Sequence, residues 1–272
     1  MIASVERETE EGRFEHPTPV EIPELSFKRR RPMEIAFEEK VDGLESRDLA
    51  FMIAAINLQM REHFTPKWGI EHWPCNAYKT LKGLPVGTFW PIAILPEIGA
   101  PGAAGYHDFA AGLVYGRVRW DGSIKTTEVT ASHEALELRG DPYCNKWVDI
   151  GGGKKVAFEM SDPCEEDTYD IEVKMFGEFR RMTVSDFLLP SYFKKDGVRP
   201  FTYLDTIDEN AFSLGLSRNG GGYLLVMEKG VVTDFWGKKS FGRKMKRPEK
   251  FRKHSDLLSR FAKRSGSQYF EV

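Results

Sequence analysis

Several features common in secreted and membrane proteins are scarce in this sequence. Only three of its 272 residues are cysteine, too few for a disulfide scaffold, so we expect a reducing compartment. No apolar run approaches the roughly 18 residues that a membrane-spanning helix needs. The first eleven residues are largely acidic and polar, unlike a secretory signal peptide. These absences predict a cytoplasmic protein that does not bind membranes.

The sequence as a whole has no large excess of positive or negative charge, but one segment does. The formal net charge is -2, which argues against nucleic-acid binding by the whole molecule. Residues 238–264 nevertheless carry twelve Lys or Arg against two acidic residues, so this segment is near +10 and the remainder near -12. Aromatic residues interleave with these basic ones, which could bind nucleic-acid phosphates. A solvated tail, or an arm that binds a partner, is the alternative.

The length and the 41% hydrophobic content suit one α+β domain with appendages. Residues 1–45 contain four prolines and a basic run, so they are predicted to form an extended N-terminal arm, with a poorly ordered tail as the alternative. The domain is expected over 46–237, followed by a basic C-terminal tail over 238–272. Both ends are predicted to pack on protein partners more than on their own core.

Two helices and several strands are expected within the domain. A capped, largely apolar stretch predicts a helix over 46–64, ended by Thr65-Pro66. A second helix is predicted over 129–139, with Gly140 as its C-cap. The predicted strands are 90–95, 113–120, 156–160, 169–176, 179–184 and 223–227.

The second helix contains the pattern that carries chemistry, His-Glu-x-x-Glu. His133 and Glu137 are four residues apart, so both side chains lie on one helix face and could bind one metal ion. Glu134 is rotated by about 100° from His133 and could act as a general base, as in the HExxH motif. An ordinary helix with a buried histidine and two solvated glutamates is the alternative, since such short patterns occur by chance.

The order of a backing helix, a sheet and then the motif helix is the one expected of the zincins, the zinc-dependent metallopeptidase fold. The sequence also resembles a family of zincin-like proteins from bacteria and tailed phages, without an assigned activity, over about residues 46–236. The resemblance is carried by Gly105-Tyr106-His107-Asp108, Ser132 to Glu137, Asp141-Pro142, Asn145, Glu159, Asp162-Pro163, Tyr169 and 185–193. It implies a mixed sheet and a metal site, and a virion location if the protein is phage-encoded.

A third protein ligand is needed, because catalytic zinc usually holds three plus water. Glu159 and Asp162 would face opposite sides of a continuing strand, so one of them is expected to bind, and Asp162 is favoured. Asp141 is a competitor, although a turn or cap role before Pro142 is the stronger interpretation. His107 could bind metal, orient substrate or simply pack.

Two further residue types could join the site. Tyr169 could donate to an oxyanion, as tyrosines do in some zincins, or it could be a core aromatic. Cys144 and Cys164 could bind zinc as thiolates, but buried free thiols are the better interpretation.

One histidine with two carboxylates makes a neutral, oxygen-rich site for a divalent ion. Zn²⁺ is expected first, with Mn²⁺ or Ca²⁺ as alternatives. The leading hypothesis is a metallohydrolase of the peptidase type, with Glu134 as general base. The alternatives are a non-catalytic structural protein of a phage virion or bacterial assembly, and a nucleic-acid-associated protein.

Overall fold

The computed structural model of this chain describes residues 34–239, apart from 86, 101, 111 and 112. Predictions for residues 1–33 and for the tail from residue 240 onward lie outside this range. The helices are α1 (Ser46–Leu58), α2 (Thr65–Trp68) and α3 (Ile124–Gly140), with a π-helical turn at Gln59–Phe64. The strands are β1 (Glu34–Glu39), β2 (Cys75–Tyr78), β3 (Phe89–Leu95), β4 (Gly105–Ala110), β5 (Leu113–Arg119), β6 (Trp147–Gly151), β7 (Lys154–Ala157), β8 (Thr168–Met175), β9 (Glu178–Ser185), β10 (Tyr223–Glu228) and β11 (Val231–Trp236).

A five-stranded mixed sheet in the order β2-β1-β3-β5-β4 forms the framework. Its first four strands pair in parallel, whereas β4 pairs antiparallel with β5. Strand β1 lies between β2 and β3, and Ile35 and Phe37 are fully buried. The predicted arm over 1–45 was therefore too long, because residues 34–39 form a strand inside the domain. A parallel strand that is covered on both faces shows an unbroken apolar run rather than alternation. Strand β1 was therefore not recognised in the sequence, where it follows closely after Pro32.

The first helical region runs further than its sequence predicted. Helix α1 passes into the π-helical turn and then directly into α2, so Thr65-Pro66 does not end it. Pro66 is tolerated because it occupies the first turn of α2, where a missing N–H costs little. Gly69 then ends the helix in a left-handed conformation (φ 62°). Helix α1 packs against β2, β8, β9 and α3.

Helix α3 carries the His-Glu-x-x-Glu pattern and begins five residues before its predicted start. The Ser123 side chain accepts a hydrogen bond from the Thr126 N–H, which caps the helix. Ala131, Ala135 and Leu138 on this helix are fully buried, and α3 packs against β3, β4, β5 and β9. Gly140 is its last helical residue, and the C-cap is Asp141 rather than Gly140.

Two smaller sheets complete the described structure. An antiparallel sheet has the order β11-β10-β7-β6, and β8 and β9 form a separate hairpin. The chain is therefore a mixed α+β structure, as the sequence predicted. Within the described residues, no helix has both the length and the apolar character that crossing a membrane requires.

Candidate metal centre

Helix α3, strand β4 and the loop after β7 enclose a cavity of about 540 Å³. Its wall on the far side is formed by Tyr223 and Leu225 of β10 and Trp236 of β11. The rings of Tyr223 and Trp236 stack on each other with centroids 4.6 Å apart. Seven side chains with imidazole or carboxylate groups line this cavity: His107, His133, Glu134, Glu137, Glu159, Asp162 and Glu165.

The predicted group His133, Glu137 and Asp162 comes together in the structure. Their candidate ligand atoms all lie within 4.8 Å of one another. His133 Nε2 is 3.1 Å from Asp162 Oδ1 and 3.9 Å from Glu137 Oε1. The one-turn spacing on α3 supplies the first pair, and the loop after β7 brings the third residue.

Glu137 also has a structural role that the sequence did not reveal. Its Oε2 accepts a hydrogen bond from the Met160 N–H at 2.7 Å, and its Oε1 accepts one from the Ser161 N–H at 2.6 Å. A longer contact from the Asp162 N–H, 3.3 Å, also reaches Oε1. The carboxylate therefore fixes the backbone of the loop that carries Asp162, so the two residues are positioned together.

A second group shares Glu137 with the first. His107 of β4, Glu137 and Glu159 also place one ligand atom each within 4.8 Å of one another, and all three are buried. The His107 ring lies between two carboxylates, with Nδ1 3.7 Å from Glu134 Oε2 and Nε2 3.9 Å from Glu159 Oε2. The structure thus brings His107 to the predicted site.

Glu159 and Asp162 both face the cavity, although the sequence favoured only one of them. The opposite-face argument assumed a strand that continued over 156–160. Strand β7 instead ends at Ala157, and a 3₁₀ turn begins at Asp162. Alternation of side chains applies only within a strand, so it does not separate these two carboxylates.

Electrostatics in the cavity favour a cation. Burial alone would lower the pKa of His133, but its hydrogen bond with Asp162 and the charges of Glu134, Asp162 and Glu137 raise that pKa to about 10. Burial likewise opposes charge on His107, yet Cys144, Glu134 and Glu159 raise its pKa well above the usual value. Burial and the neighbouring carboxylates raise the pKa of Glu137. A divalent ion would replace the protons that His133, His107 and Glu137 otherwise bind.

Glu134 lies in the cavity at a point of close approach between α3 and β4. A Cβ atom at Gly105 would lie 2.7 Å from Glu134 Oε1 and 2.6 Å from the Thr130 methyl carbon. Glycine at this position therefore permits Glu134 to occupy its place. Strand β4 was not predicted from the sequence, because its glycine and its polar residues give no β-pattern.

The other candidates do not line the cavity. Tyr169 does not line the cavity: its hydroxyl lies 2.8 Å from His63 Nδ1 and accepts a hydrogen bond from Gln59 Nε2 at 3.3 Å. Its ring packs on Tyr203, which matches the core-aromatic interpretation. Asp141 accepts a hydrogen bond from the Lys146 N–H at 2.8 Å, as a cap residue would. Cys144 and Cys164 are buried free thiols.

Comparison with known proteins adds no relative, since no family model, no curated protein and no solved structure matches this chain.

Proposed function

We propose that this chain is a metal-dependent hydrolase of the metallopeptidase type, with a zincin-like core, in which Glu134 acts as general base. The observation that carries the proposal is the convergence of His133, Glu137 and Asp162 within 4.8 Å at a cavity that Glu134 also lines. Glu134 lines the cavity but does not belong to this ligand group, as expected of a general base beside a metal ion.

The residues fit a divalent ion of the Zn²⁺ type, with Mn²⁺ or Ca²⁺ as alternatives. One imidazole and two carboxylates supply the three protein ligands that catalytic zinc usually takes. The shortest separation in the group, 3.1 Å between His133 Nε2 and Asp162 Oδ1, is one that two ligands of a single ion can have. When bound, the ion would acidify a water molecule and polarise the carbonyl that the water attacks.

Glu134 would accept the proton of the attacking water and pass it to the leaving amine. Its carboxylate is buried and adjoins the ring of His107 at 3.7 Å, so solvent screens its charge little. A general base of this kind contributes about 10²–10⁴-fold to the rate.

The position of β4 suits an extended peptide substrate. In the described part of the main sheet, β4 is an edge strand that pairs only with β5. Its residues Gly105, Tyr106 and His107 line the cavity. An extended peptide could therefore add to the outer edge of β4 through main-chain hydrogen bonds, with its scissile bond near the metal ligands.

One observation favours the second candidate, a structural protein of a phage virion or bacterial assembly that retains the fold. Both carboxylate oxygens of Glu137 accept hydrogen bonds from the backbone of residues 160–162. An ion bound to Glu137 would therefore also stabilise that loop. Such a protein would bind the ion and hydrolyse nothing. The nucleic-acid hypothesis concerns residues 238–264, which lie almost wholly outside the described residues, and it stays a prediction.

The variant Glu134→Gln separates the two candidates. It keeps the shape of the side chain but cannot accept the proton, so hydrolysis of a broad peptide library should fall by about 10²–10⁴-fold while metal content is unchanged. Glu172→Gln, at an exposed carboxylate on β8, is the matched control and should behave as wild type. Wild-type protein that retains its ion but cleaves no peptide in the library would favour the structural candidate.

A further inference from the structure

We propose that the cavity binds a second divalent ion, held by His107 and Glu159, with Glu137 bridging it to the first. This inference rests on the proposed function for the first ion, at His133, Glu137 and Asp162. It makes the centre dinuclear and gives His107 and Glu159 a shared role.

The separation between His107 and Glu159 is close to that of two ligands of one ion. His107 Nε2 lies 3.9 Å from Glu159 Oε2, beyond the roughly 3.2 Å limit of an N–H···O bond. Nitrogen and oxygen atoms that bind one tetrahedral Zn²⁺ at about 2.0–2.2 Å lie about 3.3–3.5 Å apart. A contraction of about half an ångström would complete the pair around an ion.

Charge balance calls for more than one divalent ion. Four buried carboxylates face the cavity: Glu134, Glu137, Glu159 and Asp162. Among the described lining residues the single lysine or arginine is Lys125, which is exposed. One ion beside a protonated His107 would leave a charge near -1 buried, whereas two ions with both histidines neutral would balance the four carboxylates. Uncompensated buried charge is strongly unfavourable, so the second ion has an electrostatic reason to bind.

Glu137 is placed to bridge the two ions. It is the only member common to the two candidate groups among the described residues. Each of its oxygens accepts one short backbone hydrogen bond, at 2.6 Å and 2.7 Å. A carboxylate oxygen offers two lone pairs, so Oε2 retains one that can bind an ion, whereas an ion on Oε1 would replace the longer contact from the Asp162 N–H, at 3.3 Å.

Glu134 would then hold the ring of His107 in the binding orientation. With Nε2 directed to the ion beside Glu159, the N–H at Nδ1 faces Glu134 Oε2 at 3.7 Å. Carboxylates placed behind metal-binding histidines fix the tautomer and the ring orientation in this way. Glu134 keeps its other oxygen for the proposed general-base role.

Metal stoichiometry tests the second ion directly. Metal-free protein is loaded with Zn²⁺, freed of excess metal, and its zinc content is measured per chain together with native mass. Wild type should bind two ions, and His107→Ala and Glu159→Gln should each bind one. His72→Ala, a histidine outside the cavity lining, is the matched control and should keep two.

The possible failures are distinguishable. One ion in wild type, retained in His107→Ala but lost in His133→Ala, would overturn the second ion and leave the proposed function standing. No ion in wild type would overturn both. Two ions retained in His107→Ala and Glu159→Gln would overturn the assignment of the ligands.

A measurement on wild type avoids reliance on variants that could fail to fold. Loading two equivalents of Mn²⁺ should give an exchange-coupled electron paramagnetic resonance spectrum, because a bridging carboxylate holds two ions about 3.5–4 Å apart. One equivalent should leave part of the signal uncoupled. Only uncoupled signal at two equivalents would contradict a bridged pair.

Discussion

Replacing Gly105 by alanine perturbs Glu134 without altering any charged group. The added Cβ would lie 2.6 Å from the methyl carbon of Thr130, 2.7 Å from Glu134 Oε1 and 3.0 Å from the carbonyl oxygen of Arg117. All three distances are shorter than an ordinary van der Waals contact. Helix α3 and strand β4 must therefore separate slightly, or the carboxylate must move.

The size of both effects follows from the overlap. Relieving the contact with Oε1, at 2.7 Å, requires a shift of about 0.8 Å, since carbon atoms and their non-bonded neighbours settle near 3.5 Å. Overpacking of this kind typically costs about 1–3 kcal/mol of unfolding free energy, which is roughly 2–10 °C in Tm for a domain of this size. A displacement of about 1 Å can reduce a rate about 10²-fold, so we expect a loss of roughly 10–10²-fold in kcat/KM.

Melting, metal content and peptide hydrolysis are measured on Gly105→Ala and on Gly105→Ala/Thr130→Ser. Serine removes the clashing methyl group but keeps the hydroxyl that donates to the Thr126 carbonyl at 3.0 Å. The double variant should regain stability but not rate, because the clash with Glu134 remains. Gly105→Ala with wild-type Tm and wild-type rate would refute this account of the contact.

Three further outcomes are expected. His133→Ala should reduce metal content sharply, measured by elemental analysis; unchanged stoichiometry would remove His133 from the site. Gly140→Ala places a Cβ 2.3 Å from Met160 Cγ and should lower the unfolding free energy by about 1–3 kcal/mol in urea titrations, whereas an unchanged midpoint would contradict this packing. Burial raises the pKa of Asp186 from 3.8 to about 6. The folded state therefore binds this proton more tightly, and stability should fall by up to about 3 kcal/mol as pH rises from about 4 to about 6. Asp186→Asn should flatten that dependence, and a dependence unchanged in the variant would assign it to another group.

Asparagine at position 186 can keep most of the hydrogen bonds that Asp186 makes. Asp186 Oδ1 accepts hydrogen bonds from the N–H groups of Phe187 and Leu204, and Oδ2 accepts one from the Thr206 hydroxyl. An asparagine can keep the first two through its oxygen and donate to the Thr206 hydroxyl through its amide nitrogen. The variant therefore removes the titration and keeps the N–H groups of Phe187 and Leu204 paired.

The helix-borne half of the site could be predicted because its geometry is local. The spacing of His133 and Glu137 determines that they share a helix face, whatever the rest of the fold does. The loop-borne half was predicted less well, since the direction of Glu159 and Asp162 depends on where β7 ends. Beyond that end the backbone N–H groups of Met160 and Ser161 donate to Glu137, a tertiary interaction that the local sequence does not reveal.

The strands show the same division. Strands β3 and β5 were predicted nearly in full, because β-branched residues and turn signals mark both. Strand β1 was assigned to the arm, since a covered parallel strand does not alternate and Pro32 stands directly before Met33 and Glu34. Strand β4 was not predicted, so the sequence left open whether His107 lies at the site. Its register against β5, with His107 opposite Gly116, is a property of the assembled sheet.

The central claim is that a divalent ion lies between His133, Glu137 and Asp162 beside Glu134. Crystals of metal-loaded protein, with diffraction data collected on both sides of the zinc absorption edge, test it most directly. We predict an anomalous peak about 2.0–2.2 Å from His133 Nε2 and from one oxygen each of Glu137 and Asp162, with an open position facing Glu134. No peak in the cavity, or a peak bound elsewhere with these three side chains unchanged, would contradict the claim.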